Sequence, residues 1–63
     1  MTANQLHKFV GQEGTWKTSY PGLSVTVKVT DARQMFGRVD LRVTPVNGSG
    51  ETWVDRQFVT DLH

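Results

Sequence analysis

Two stretches alternate so regularly that they exclude most folds. From Leu23 to Val29 the residues Leu23, Val25, Val27 and Val29 are apolar, and Ser24, Thr26 and Lys28 between them are polar. From Arg38 to Thr44 the pattern repeats, with Val39, Leu41 and Val43 against Arg38, Asp40, Arg42 and Thr44. A period of two puts one set on each face of an extended chain, so both stretches read as strands with one dry and one wet side. Thr30 continues the polar set, and Asp31-Ala32-Arg33-Gln34-Met35-Phe36-Gly37 then leads to the second stretch, which suggests a hairpin whose loop spans Ala32 to Phe36. Asp31 is placed to open that loop by bonding nearby amides. Charge predicts the register: Lys28 opposite Asp40 and Val27 opposite Leu41, which keeps Lys28 away from Arg42.

The chain around this hairpin is short. Sixty-three residues make one domain, with little apolar area to bury. There is no cysteine, so disulfides and thiolate metal sites are excluded, and a reducing cytoplasm fits that composition. His7 and His63 show no ligand spacing, so no metal or other cofactor is expected. Seven basic and six acidic residues give a net charge of +1, too little to mark a polyanion binder by bulk charge. No apolar run exceeds two residues, so no membrane partner or secretory leader is expected.

The remaining elements follow from local chemistry. Thr2 and Gln5 have capping-box spacing, Leu6, Phe9 and Val10 form one helical face, and Gly11 can end the helix, so a short helix is expected over 3–10. A first strand begins near Gly14, with Trp16, Thr18 and Tyr20 alternating. Tyr20-Pro21-Gly22-Leu23 has the residues of a type II turn. Pro45 limits the third strand. Asn47-Gly48-Ser49-Gly50 reads as a turn, Glu51 to Asp55 as a fourth strand, Arg56 to Val59 as one 3₁₀ turn, and Thr60 to Leu62 as a last short strand. The expected interior is Phe9, Val10, Leu23, Val25, Val27, Val29, Val39, Leu41, Val43, Val54 and Leu62.

This order of elements, with long second and third strands, "TWVD" on the fourth, one 3₁₀ turn and a brief fifth strand, resembles an SH3-like small β-barrel. The resemblance spans 14–62 and is one of order and spacing. It implies a mainly β, five-stranded SH3-like small barrel with a short N-terminal α-helix, all in a single domain over 1–63. It does not extend to proline-peptide recognition, because the acidic loop and tandem aromatics of that function have no counterpart here.

No nucleophile, base and carboxylate fall in a catalytic pattern, so a non-enzymatic role is expected. Two binding roles remain. In the first, the chain is an interaction module, a protein-binding accessory or adaptor, that meets a protein partner or another copy of itself through the hairpin tip at 32–38. Arg33, Met35, Phe36 and Arg38 combine apolar and guanidinium groups of the kind enriched in interface cores. If the tip is structural instead, Phe36 folds back over the end of the core and Met35 fills a gap. In the second role, Lys28, Arg33, Arg38 and Arg42 form a basic strip beside Trp53 that binds nucleic acid, although an ordinary solvated face accounts for the same arginines. Trp16 and Trp53 are expected to be mostly buried, each with an edge in water.

Overall fold

The computed structural model describes residues 3–63. It contains α1 (Ala3–His7), β1 (Glu13–Lys17), β2 (Ser24–Met35), β3 (Arg38–Pro45), β4 (Thr52–Asp55), a 3₁₀ turn (Arg56–Phe58) and β5 (Val59–Thr60). The five strands are antiparallel in one sheet of order β4-β3-β2-β1-β5. Among the described residues, β4 and β5 are its two edges and do not pair with each other.

The sheet buries one face by twisting its strands and by taking Phe9, from the segment after α1, against it. The long, alternating β2 makes that possible. Its first half pairs with β1 and most of its length with β3, so it belongs to both sides of the fold. Val27, Val29, Leu41, Val43 and Val59 are buried together. Phe9, Trp16, Val25, Ala32, Val39, Val54 and Leu62 pack against them. Leu23 and Val10, expected inside, are instead 56% and 42% exposed. Leu23 is held in the turn, where its amide donates to the Tyr20 carbonyl at 3.1 Å and Gly22 takes φ +79°. Val10 lies beyond the helix. α1 stops at His7, and the Phe9, Val10 and Gln12 amides each reach back only three residues. The chain then reverses at Gly11 (φ +91°), whose amide donates to the Val29 carbonyl at 2.8 Å and so leads into the sheet. Thr2, half of the anticipated capping box, lies outside the described residues.

The register of the central hairpin departs from the charge-based expectation. Val27 faces Pro45, Lys28 faces Thr44 and Val29 faces Val43; beyond Thr30, Asp31 faces Arg42 and Ala32 faces Leu41. Thr30 is the extra residue of a β-bulge. It switches the inward set from odd to even numbers, so that Ala32 packs against the core and Asp31, Arg33 and Met35 turn to the outer face. The bulge is held locally. The Ala32 amide donates to Asp31 Oδ1 at 2.8 Å, and Thr30 Oγ1 lies 2.7 Å from Glu51 Oε2. Asp31 therefore does bond a neighbouring amide, but within a strand. Residues 32–35 continue β2, and the expected five-residue loop shrinks to Phe36-Gly37.

One close approach fixes the other side of the sheet. β5 lies against β1, pairing Thr15 with Thr60 and Trp16 with Val59. Gly14 is buried at this junction, where a Cβ would fall 2.8 Å from the Thr60 carbonyl oxygen.

Candidate functional site

The β2–β3 turn is built on two residues with positive φ, Phe36 at +50° and Gly37 at +79°, between the paired Met35 and Arg38. Two such residues between paired strands make a type I′ turn, whose twist matches that of the strands it joins. Glycine accepts this geometry freely. Phenylalanine does not, because its Cβ crowds the following carbonyl. Its ring gains little in return: Phe36 is 97% exposed. It does not fold back over the core, and Met35 beside it is also exposed.

Below the apex the outer face is rigidly organised. Asp40 on β3 faces Arg33 on β2 and Asp55 on β4. Its carboxylate receives two guanidiniums, with Arg33 Nε 3.5 Å from Oδ2 and Arg38 Nε 3.2 Å from Oδ1. The two arginines cover it, so Asp40 is only 4% exposed although it lies on the outer face. Arg33 also stacks on Trp53, with its Cζ 4.1 Å from the ring centroid, a cation–π contact between a central and an edge strand. Arg33, Arg38, Asp40 and Trp53 thus form one cluster that braces the tip. Further along, Arg42 pairs with Glu51 at 3.2 Å.

The structure thus brings Arg33, Met35, Phe36 and Arg38 together at one end of the hairpin. Trp53 joins them from beneath, through Arg33. Lys28 does not join them. It sits in the other half of β2, opposite Glu13 and Thr44 and roughly 15 Å along the strand from Arg33. Asp40, Glu51 and Gly37 are the participants that period-two reasoning passed over. Asp40 was expected opposite Lys28, and its place opposite Arg33 follows from the register of the two-residue turn. Gly37 had a visible signal, since glycine is the favoured second residue of a type I′ hairpin turn.

Both tryptophans are half-buried. No group of three potential metal ligands occurs among the described residues, and no helix among them is long and apolar enough to cross a membrane. Comparison with protein-family models, with curated proteins and with solved structures finds no match for this chain.

Proposed function

We propose that the chain is a non-catalytic interaction module, an SH3-like small barrel in outline, that engages a protein partner through the apex of its β2–β3 hairpin. The observation that carries this reading is Phe36, an almost fully exposed ring at a backbone position that disfavours it. Strain held at an exposed aromatic is a reason to look for a partner, because the fold itself gains nothing from it. Met35 supplies adaptable apolar surface beside it. Arg38, with its side chain 59% exposed, supplies donors at the rim. The barrel outline rests on β5 returning beside β1, on a bulged β2 shared between two neighbours, and on the 3₁₀ turn between β4 and β5. A cytoplasmic setting fits a chain without cysteine.

The nucleic-acid alternative, with Lys28, Arg33, Arg38, Arg42 and Trp53, has less support. Each of its three arginines is paired with a carboxylate, and one face of Trp53 is taken by Arg33. A cation that is already paired releases few counterions on meeting a phosphate.

The test is comparative capture from the native host with wild-type, Phe36→Asn and Arg38→Glu/Arg42→Glu baits, each with and without nuclease. The apex reading expects a protein that is held by the wild type, insensitive to nuclease and lost with Phe36→Asn. Retention on heparin that is lost only with the double arginine variant would favour nucleic acid instead.

A further inference from the structure

The connection between β3 and β4, at the end of β3 away from the hairpin apex, carries the pair Asn47-Gly48. Both residues are exposed and stand outside every strand. The chain is anchored just before them, where the Val46 amide donates to the Thr26 carbonyl at 3.0 Å. Past that point the hold is weak. The Gly48 amide reaches the Pro45 carbonyl only at 3.4 Å, and the Asn47 side chain makes no hydrogen bond among the described residues. Packing favours glycine at the second position, because a Cβ there would fall 3.1 Å from the Cβ of Pro45. The turn thus sets a bare, loosely held amide directly after an exposed asparagine.

We propose that Asn47 is a self-modifying site, at which the folded chain deamidates by attack of the Gly48 nitrogen on the Asn47 side-chain carbonyl. A bond forms between Gly48 N and Asn47 Cγ, and the bond from Cγ to Nδ2 breaks. The proton lost from the Gly48 amide passes through water to Nδ2, which leaves as ammonia. The product is a succinimide ring made of Gly48 N with the C, Cα, Cβ and Cγ of Asn47. Water then opens the ring. Opening at Cγ leaves aspartate on an unchanged main chain. Opening at the main-chain carbonyl leaves isoaspartate, whose backbone runs through Cβ and Cγ. Either route consumes water and releases ammonia, with no oxidant or reductant. Having nucleophile and carbonyl in adjoining residues is what lets so unreactive a pair of amides combine, and glycine permits the close approach because it has no side chain in the way.

The fold has room for both products. Residues 46–51 lie between the end of β3 and the start of β4, so an added backbone atom is absorbed in the connection and neither strand moves. The groove beside the turn is lined by Ser24, Val25, Thr26 and Pro45, with no carboxylate to oppose a new negative charge. With seven basic residues against six acidic ones, one more carboxylate takes the formal net charge from +1 to 0. Asn4 is the internal control. It is the chain's other asparagine, it lies within α1, and it precedes Gln5, whose side chain shields the amide.

Timed incubation of the folded chain near neutral pH tests the proposal, read by isoelectric focusing and by peptide mapping with fragmentation that separates aspartate from isoaspartate. A species one charge less positive should accumulate, altered at Asn47 and not at Asn4, with both products present and the circular dichroism of the starting protein. Its rate should rise with pH, since the attacking nitrogen must give up its proton. It should also lie within about tenfold of the rate in the chain unfolded by denaturant, because the turn opens at little cost. Asn47→Gln, whose longer side chain closes a ring less readily, should keep its charge over the same period. A folded wild type that retains Asn47 while the unfolded chain converts overturns the proposal. So does conversion of Asn4 at an equal rate, the same loss of charge in Asn47→Gln, or a converted chain that has lost its fold.

Discussion

Replacing Phe36 with asparagine should make the protein more stable while removing its most exposed aromatic. The two halves of this expectation have separate origins. The ring is 97% exposed, so deleting it sacrifices almost no buried area. The backbone at +50° costs a residue such as phenylalanine about 1–2 kcal/mol relative to one that tolerates the left-handed region. Asparagine tolerates it, and Asn-Gly is a favoured pair for a type I′ turn. The net gain should be about 1 kcal/mol, which for a domain of this size raises Tm by about 4–8 °C. A 63-residue chain has only about 3–9 kcal/mol of stability in total, so the change is easily measured by calorimetry or thermal circular dichroism. Two further variants isolate the cause. Phe36→Ala keeps a Cβ at the same φ and should change stability by less than about 0.5 kcal/mol. Phe36→Gly relieves the strain but adds about 0.4–1 kcal/mol of unfolded-state entropy, so it should fall between the other two. If alanine stabilises as much as asparagine, the gain came from hiding the ring and the strain argument is wrong. If asparagine destabilises, the ring has contacts that its exposure does not reveal.

Asp40→Asn should cost about 1–2 kcal/mol, since both guanidiniums it holds are themselves partly in water; a melt repeated at high salt should show a smaller difference between variant and wild type. Gly14→Ala puts a methyl group 2.8 Å from the Thr60 carbonyl oxygen, so β5 must move off β1. A loss of about 1–3 kcal/mol is expected, with faster amide exchange at Glu13 and His63, which bond each other reciprocally at 3.0 Å. Leu41→Ala empties the centre of the core and should cost about 2–5 kcal/mol, enough to lower Tm by about 8 °C or more and to leave much of the chain unfolded on mild warming.

What the sequence revealed and what it hid divide at a single residue. The alternation from Val25 to Val29 and from Val39 to Val43 identified both central strands and four of the five buried apolar side chains among the described residues. The type II turn at Tyr20 to Leu23 and the 3₁₀ turn at Arg56 to Phe58 were equally visible, because proline, glycine and spacing encode them locally. The register was not visible, because it depends on Thr30. A bulge adds no unusual residue to the sequence; it adds one to the count, and every pairing inferred beyond it shifts. The bulge accounts for one residue of the difference; the rest comes from the turn, which closes on Met35 and Arg38 with two residues where a five-residue loop was expected, so that Lys28 meets Thr44 and Asp40 meets Arg33. The charge rule itself held in the altered register, since Asp31 faces Arg42 and Arg33 faces Asp40. Val59 escaped notice because two apolar residues in a row, Phe58 and Val59, show no period, and only the pairing with Trp16 decides which one turns inward.

The bulge also explains how so small a protein can hold an aromatic ring in water on a firm support. Without Thr30, Asp31, Arg33 and Met35 would fall on the inner face, two charges among them, and the hairpin could not continue past the core. With it, β2 runs on as an arm whose outer face carries Arg33 between Asp40 and Trp53. Those contacts tie the two strands of the arm to each other and to β4 before any partner arrives. Ordering a loose loop on binding costs about 0.5–1.5 kcal/mol for each immobilised side chain, and a braced apex avoids much of that loss. Asp40→Asn should therefore weaken docking through the apex even under conditions where the fold is intact, although Asp40 itself is too buried to reach a partner. A variant that lowers Tm but leaves apex-dependent binding unchanged would mean that the cluster supports the sheet alone.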